Sequence, residues 1–231
     1  MSNNKTISII VPVFNEEKTI SLVLKRIISK DFGFKKEIVV VNDGSKDKTL
    51  EEIKKFKGKI RIISYKENKG KGYAIRKAIE KAKGDIIAIQ DADLEYNLDD
   101  LKKITNFLIK NNLDVVYGSR FLKENKHYKK NSFYFGNKFL SFFTSLLFGQ
   151  KISDMETCYK VFKKEIIKNI NLTSNGFEIE AEITAKILKK GYKIYEVPIS
   201  YKPRTKKEGK KIKWRDGLFA IRVLLREKFN L

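Results

Sequence analysis

Cysteine and proline are scarce in this chain, and long apolar runs are missing from it. Of the 231 residues, one is cysteine and three are proline. Because Cys158 is the single cysteine, an internal disulfide is excluded, which fits a reducing compartment such as the cytoplasm. With so few prolines we expect no proline-rich linker, and the length suits one well-buried domain of the larger sort.

No apolar run reaches the roughly 18 residues that a bilayer-spanning helix needs. The most apolar stretch, residues 133–148, is interrupted by Asn137, Lys138, Ser141, Thr144 and Ser145. The N-terminus passes from "MSNNK" straight into "TISIIVPVF", which predicts a strand rather than a secretory leader. We therefore expect any membrane contact to be peripheral.

Negative charge is also in short supply. The chain has 28 acidic against 50 basic residues, which gives a formal net charge of +22. Such a surplus points to polyanionic partners, namely nucleic acid, an anionic membrane surface or phosphorylated small molecules. The alternative is that lysine fills solvated faces without a specific partner. Against this background, "IQDADLEYNLDD" gathers five carboxylates within residues 89–100.

Short Ile- and Val-rich runs alternate with helical patterns along the first half of the chain. This alternation predicts a mostly parallel sheet with helices on its faces, that is, an α/β domain. Strands are predicted at residues 6–14, 36–45, 59–65, 85–93, 113–120 and 192–201. Helices are predicted at residues 15–30, from about 48, within 68–84, where a Gly-rich turn leads into the helix, and at 98–111, 177–190 and 214–229.

Polar residues stand at the carboxyl ends of four predicted strands, where open α/β sheets bind their ligands. They are Asn15 with Glu16, Asn42 with Asp43, Asp91 with Asp93, and Gly118 to Arg120. Asp91 and Asp93 are two residues apart on a strand end, so both side chains point the same way. Completed by phosphate oxygens and water, this pair suits Mg²⁺ or Mn²⁺ beside a diphosphate. Alternatively, the two aspartates only cap the next helix.

Four segments in order carry a family resemblance: "SIIVPVFNEE", "VVVNDGSKDKT", "NKGKGYAIRKAIEKAKGDIIAIQDAD" and "VYGSR". They resemble the family 2 inverting glycosyltransferases of the GT-A fold. Within that family they are most similar to the dolichyl-phosphate mannose and glucose synthases and their bacterial polyprenyl-phosphate relatives. The resemblance covers roughly residues 6–212 and implies a single GT-A-like α/β domain. It implies a donor half at residues 1–120, an acceptor half at 121–201, and a basic loop with an amphipathic helix at 202–231.

The resemblance implies which residues meet the donor, a nucleotide-diphosphate sugar of the GDP-mannose or UDP-glucose type. The nucleoside would be held by Pro12, Phe14, Asn15, Glu16 and Asp43, with Lys71 of the Gly-rich turn close by. Asp91 and Asp93 would hold the metal and the diphosphate, and Asp93 is also a catalytic candidate. Alternatively, Asp43 only makes a local Asx-turn, and the glycines of the Gly-rich turn only shape the entry of the next helix.

Glu95 stands where the mannose synthases often have a glutamine that helps to hold the metal. We therefore include it as a third candidate metal ligand, with an exposed side chain as the alternative. Asp99 and Asp100 are expected only to complement the dipole of the next helix.

A lipid-phosphate acceptor needs cations and no base, because a phosphate monoester with a second pKa of about 6 is already ionised. Arg120 matches the family arginine that meets this phosphate; the alternative is an arginine paired with a nearby acid. "SDMETCYKVF" departs from the mannose synthases and brings Asp154 and Glu156. If the acceptor is a hydroxyl, we expect one of them, with Glu156 as the catalytic candidate, to be the general base.

The C-terminal segment holds eight basic residues between Lys202 and Arg215. The pattern of Arg204, Gly209, Lys210 and Lys211 resembles the mobile loop of the lipid-phosphate enzymes, in which an arginine and a lysine close over the phosphates, here Arg204 and Lys210. The alternative is a solvated charge run. The helix predicted over residues 133–148 is amphipathic, which suits a membrane interface or, equally, a core or dimer contact.

Together with these residues, the resemblance implies a metal-dependent inverting hexosyltransferase acting on polyprenyl or dolichyl phosphate at the cytoplasmic face of the membrane. One alternative is a soluble family member that glycosylates a sugar hydroxyl. Another is a basic nucleic-acid-binding protein, which we do not favour because it leaves the four polar strand ends unexplained. A nicotinamide oxidoreductase is disfavoured because no G-x-G-x-x-G follows the first strand.

Overall fold

A single mixed sheet runs through the centre of the protein. The computed structural model describes residues 5–123, 125, 128, 130–205, 209 and 211–231. The strands in this part of the chain are β1 (Thr6–Val13), β2 (Lys35–Asp43), β3 (Arg61–Tyr65), β4 (Ile86–Ile89), β5 (Val115–Ser119), β6 (Lys160–Lys163) and β7 (Ile194–Pro198). Their order across the sheet is β3-β2-β1-β4-β6-β5-β7.

All neighbouring strands run parallel except β6, which is antiparallel to both β4 and β5. The central strands are buried along most of their length, as expected for Ile- and Val-rich strands that helices cover on both faces. The predicted α/β architecture with a mostly parallel sheet is therefore confirmed. The sequence did not predict β6, because a four-residue strand that includes two lysines carries little strand signal.

The helices in the described residues flank this sheet. They are α1 (Ile20–Ser29), α2 (Thr49–Lys54), α3 (Lys71–Lys81), α4 (Leu98–Lys110), α5 (Ser132–Phe148), α6 (Lys164–Lys168), α7 (Ile179–Lys189) and α8 (Trp214–Phe229). Within the described residues, no helix combines the length and the apolar character that crossing a membrane requires.

The first helix begins five residues later than predicted, because residues 14–19 form a loop. Asn15 takes a left-handed backbone conformation with φ of 47°. The backbone N–H of Glu16 then donates to Thr49 Oγ1 at 2.7 Å, which ties this loop to the start of α2. The extra loop length carries Phe14 and Glu16 over the carboxyl end of β1.

The α5 helix covers the apolar stretch and has well-defined ends. The Asn131 side chain accepts a hydrogen bond from the backbone N–H of Tyr134, and Gly149 ends the helix in the left-handed conformation. Leu140, Ser141 and Thr144 are its buried residues. Its other apolar side chains remain partly or largely exposed.

Candidate active site

A cavity of about 300 Å³ opens at the carboxyl ends of β1, β2 and β4. Among its lining residues are Pro12, Phe14, Glu16, Asp43, Asn68, Lys71, Asp91, Asp93, Glu95, Tyr201, Arg204 and Lys211. A second cavity, of about 510 Å³, shares Asp93, Glu95 and Tyr201 with it but is lined by neither Asp43 nor Asp91. The first cavity is therefore the candidate site.

Asp43, at the end of β2, fixes the entry of α3. Its carboxylate accepts hydrogen bonds from the backbone N–H groups of Lys69 at 2.9 Å and Gly70 at 2.7 Å. The Asn68 amide donates to it as well, at 2.9 Å. Burial raises the pKa of Asp43 against the effect of these bonds. The carboxylate therefore binds a distant turn instead of making the local Asx-turn, and it still lines the cavity.

The Gly-rich turn lies directly against the loop that precedes α7. Gly70 has φ of 100°, and a Cβ atom there would lie 2.2 Å from the backbone oxygen of Asn175. The N–H of Gly72 donates to the Gly176 carbonyl oxygen at 3.1 Å. This close approach requires glycine at position 70, which supports the alternative that the turn's glycines shape the entry of the helix. Gly70 also lines the cavity.

A row of alternating charges leads from the core to Asp91. Lys160 is fully buried, and its ammonium group donates to Glu180 and to the carbonyl oxygens of Met155 and Thr157. Lys71 Nζ lies 3.1 Å from Glu180 Oε1 and 2.9 Å from Asp91 Oδ1. Burial alone would lower the pKa of Lys71, but Asp91 and Glu180 raise it well above its ordinary value. Asp91 is thus held by a permanent cation.

Asp93 lies among carboxylates and is met by Arg204. Burial, with the neighbouring charges of Asp91 and Glu95, raises the pKa of Asp93 to about 8. Arg204 Nη2 lies 3.2 Å from Asp93 Oδ2, and Nη1 lies 2.9 Å from Glu16 Oε1. Lys211 also donates to Glu16. The cations that follow β7 therefore close one side of the cavity.

Arg120 is paired with Asp154, which is the alternative stated for it above. Its Nε and Nη2 atoms both donate to the Asp154 carboxylate at 2.7 Å, and its own backbone N–H donates to the same group. Both residues are buried. The contact of Arg120 with an acceptor phosphate stays a prediction. Arg120 would have to bind that phosphate while its guanidinium remains paired with Asp154.

Glu156 is placed differently from Asp154. Its Oε1 atom is buried with no hydrogen-bond partner among the described residues. Burial raises the pKa of Glu156 to about 7, against the attraction of Lys160. Asp154 is held in its ion pair, so of these two acids it is Glu156 that has the properties of a general base. Glu156 does not, however, line the cavity described above.

The chain matches the family model described as glycosyl transferase family 2 over residues 8–170. This chain belongs to glycosyltransferase family 2. It is 30% identical to a dolichol-phosphate mannosyltransferase of Pyrococcus furiosus over 88% of the chain, but it spans only 58% of that protein. It is also 30% identical to a UDP-N-acetylglucosamine–dolichyl-phosphate N-acetylglucosaminyltransferase of Methanococcus voltae, with 85% of each chain covered.

The solved structures show the fold of this glycosyltransferase. One is glucosyl-3-phosphoglycerate synthase from Mycobacterium tuberculosis, in complex with Mn²⁺, UDP and phosphoglyceric acid. The TM-score is 0.73 with 17% identity, and 97% of this chain and 79% of the other are covered. The predicted GT-A-like fold is confirmed by this likeness, which at such identity concerns the fold alone.

The donor set of this glycosyltransferase fits a divalent cation, although not as three protein carboxylates. No group of three acidic, cysteine or histidine side chains in the described part of the chain is placed to hold one ion. Both carboxylate oxygens of Glu95 instead accept hydrogen bonds, one from the Tyr201 hydroxyl and one from the backbone N–H of Arg204. We therefore reduce the expected ligand set to Asp91 and Asp93. Five acidic and three basic side chains line the cavity among the described residues, and this excess of acidic groups suits a divalent cation.

Most of the predicted donor-binding residues meet at this cavity, while some lie elsewhere. Asn15 is exposed and bonds Ser45 and Lys46, so it shapes the loop without lining the cavity. Lys210 lies outside the described residues. The sequence interpretation missed Asn68, Phe177 and Tyr201 as lining residues. Asn68 and Tyr201 carried a weak signal, because they stand at a Gly-rich turn and at a predicted strand end.

The buried pair of Arg120 and Asp154 makes a stability prediction. Arg120→Met leaves Asp154 buried without its counter-ion, which we expect to lower the free energy of unfolding by roughly 3–5 kcal/mol. Adding Asp154→Asn removes that charge and keeps an acceptor for the backbone N–H, so the double variant should recover part of the loss. Urea unfolding measures both. Wild-type stability in Arg120→Met would show that the pair contributes nothing.

Proposed function

We propose that this protein transfers a hexose from a nucleotide-diphosphate sugar to a polyprenyl or dolichyl phosphate, with inversion and with the help of Mg²⁺ or Mn²⁺. The observation that carries the proposal is one cavity in which Asp91 and Asp93 meet Asp43 and the cations Lys71, Arg204 and Lys211. The relatives named for dolichyl-phosphate substrates support it.

The donor is assigned to the residues that line the cavity. Asp43 has a carboxylate at the end of β2 that suits a ribose hydroxyl or a base N–H, and Pro12 and Phe14 supply an apolar wall. Lys71 and Arg204 lie on either side of the aspartate pair. Their charges would stabilise the diphosphate as it leaves. A bound Mg²⁺ or Mn²⁺ at Asp91 and Asp93 would add Lewis-acid stabilisation of the same charge.

The acceptor assignment rests on where the two candidate bases lie, because neither Asp154 nor Glu156 is among the described residues that line the cavity. Asp154 is locked in its fork with Arg120, and Glu156 is not among the lining residues that the structure describes. A phosphate acceptor needs no base, because it is ionised at neutral pH. Its negative charge would instead be met by Lys211, which lines the cavity, and by Arg120, as the resemblance implies. We assign the acceptor half to residues 121–201, which bring Phe177 and Tyr201 to the cavity, while residues 202–231 supply Arg204 and Lys211.

A lipid acceptor also requires access to a membrane, and α5 offers a suitable surface. An apolar stripe runs along its exposed face, formed by Phe135, Phe139, Phe142 and Leu146, each more than half exposed. Lys138 lies between these positions in sequence, and Trp214 and Leu218 of α8 are similarly exposed. Exposed aromatic residues beside lysines are typical of helices that lie in an anionic bilayer interface. We place this contact at the cytoplasmic face.

A hydroxyl acceptor is the second candidate, favoured by one observation. Glu156 has a pKa of about 7, which suits a general base near neutral pH. In that case the ionised form does the work, so activity should rise as the pH passes upward through about 7.

The acceptor is tested with purified protein, a panel of GDP- and UDP-sugars, Mn²⁺, and either polyprenyl phosphate or simple sugars. We expect product on the lipid phosphate, with Glu156→Gln retaining activity because no base is needed. Product only on sugar hydroxyls, lost by about 100- to 10,000-fold in Glu156→Gln and titrating with a pKa of about 7, would replace the lipid assignment by the hydroxyl one.

Membrane contact is tested by sedimentation with vesicles that contain anionic lipid. Replacing Phe139, Phe142 and Leu146 together by serine should reduce vesicle binding by at least about tenfold, because three apolar side chains no longer leave water. Phe107→Ser on α4 is the matched control, since Phe107 is also partly exposed but lies outside the stripe. Unchanged binding in the triple variant would contradict the assignment of this surface.

A further inference from the structure

The carboxylate of Glu95 faces the chain that follows β7. Oε2 accepts a hydrogen bond from the Tyr201 hydroxyl at 2.7 Å, and Oε1 accepts one from the backbone N–H of Arg204 at 2.8 Å. The backbone adds a third link, because the N–H of Lys202 donates to the Glu95 carbonyl oxygen at 2.9 Å. Tyr96 and Tyr201 form an isolated antiparallel bridge beside it. Hydrogen bonds therefore hold residues 95–96 against residues 201–204 at the cavity wall.

Tyr201 makes a rigid partner for Glu95. The residue is buried, and its ring lies 5.2 Å from that of Tyr96 and 4.9 Å from that of Tyr128. The guanidinium of Arg120, which is paired with Asp154, lies 5.0 Å from the centre of the Tyr201 ring. Aromatic packing of this kind fixes the position of the hydroxyl. The position of the Glu95 carboxylate is thereby fixed too.

The fixed carboxylate of Glu95 orients the side chain of Arg204. Its backbone N–H is bound by Glu95, and its Nε atom lies 3.7 Å from the same carboxylate oxygen. The two terminal nitrogens then reach Glu16 and Asp93 across the cavity. A free arginine side chain loses much rotamer freedom when it binds a ligand, so holding it in place beforehand lowers the cost of binding.

We propose that Glu95 is a positioning residue that holds Arg204 over the diphosphate site, and not a ligand of the metal. In the free protein the guanidinium neutralises Asp93 and Glu16. The same fork of donors, held by Glu95, is directed at the place where the donor diphosphate is proposed to lie. This inference rests on the proposed function, because it takes the cavity to be the nucleotide-sugar site.

Glutamate suits this task better than glutamine. Each of its two oxygens accepts one hydrogen bond, from Tyr201 and from Arg204, whereas a glutamine side chain has only one acceptor oxygen. The carboxylate also attracts the Arg204 guanidinium, which a neutral amide does not. A Glu95→Gln variant should therefore lie between the wild type and Glu95→Ala in its effect.

A double-mutant cycle tests the proposal by calorimetric titration of UDP and of GDP, each with Mn²⁺, into the wild type, Glu95→Ala, Arg204→Ala and the double variant. We expect Glu95→Ala to weaken binding of the preferred nucleotide about tenfold, with Glu95→Gln intermediate. In the Arg204→Ala background, Glu95→Ala should cause no further loss, because Glu95 acts through Arg204. Glu80→Ala, which removes an exposed carboxylate paired with Lys77, is the charge-matched control and should bind normally.

Other outcomes overturn the proposal in distinguishable ways. If Glu95→Ala weakens nucleotide binding equally with and without Arg204, or lowers the Mn²⁺ affinity of the nucleotide-free protein, Glu95 is a metal ligand. If Glu95→Gln and Glu95→Ala both bind like the wild type while remaining folded by circular dichroism, Glu95 has no role in binding. If the wild type itself binds neither nucleotide with Mn²⁺, the proposed function fails, and the Glu95 assignment fails with it.

Discussion

Two carboxylates that share one partly buried cavity are the constraint on which the rest of this structure depends. Asp91 and Asp93 stand two residues apart after β4, where burial disfavours the ionised form of each and the charge of Asp91 further raises the pKa of Asp93, while Lys71 keeps the pKa of Asp91 below its ordinary value. The protein supplies each with a cation: Lys71 lies 2.9 Å from Asp91 and Arg204 lies 3.2 Å from Asp93. A buried charge is tolerated when it is paired in this way.

The two internal cations are held by different means. Lys71 belongs to the start of α3 and is backed by Glu180 and the fully buried Lys160, so its position follows from the packing of the sheet. Arg204 comes from the chain that follows β7 and is held by Glu95 and Glu16. This arrangement also explains why a strongly basic chain gathers acidic residues near Asp91. The chain carries +22 overall, yet acidic side chains outnumber basic ones around the cavity, which keeps it attractive to a metal ion.

The sequence predicted the parts of the molecule that depend on local patterns. Long Ile and Val runs located the parallel strands, and polar residues at their ends located Asp43, Asp91 and Asp93 at one edge of the sheet. It could not predict partners that meet only in the folded chain. Arg120 finds Asp154 at a separation of 34 residues, and Glu95 finds Arg204 at a separation of 109. The short strand β6 was missed because two of its four residues are lysines, and the partner that stabilises the buried Lys160, Glu180 on α7, meets it only in the folded chain.

The central claim is that Asp91 and Asp93 together bind a divalent cation with a nucleoside diphosphate. Titration of Mn²⁺ in the presence of UDP or GDP, followed by electron paramagnetic resonance of the free ion, tests it most directly. Asp91→Asn with Asp93→Asn should weaken Mn²⁺ binding by at least about 100-fold, since even groups that only orient metal ligands change affinity by 10- to 100-fold. Asp99→Asn with Asp114→Asn removes two aspartates that do not line the cavity and should bind as the wild type does. Equal Mn²⁺ affinity in the wild type and the Asp91/Asp93 double variant would contradict the account.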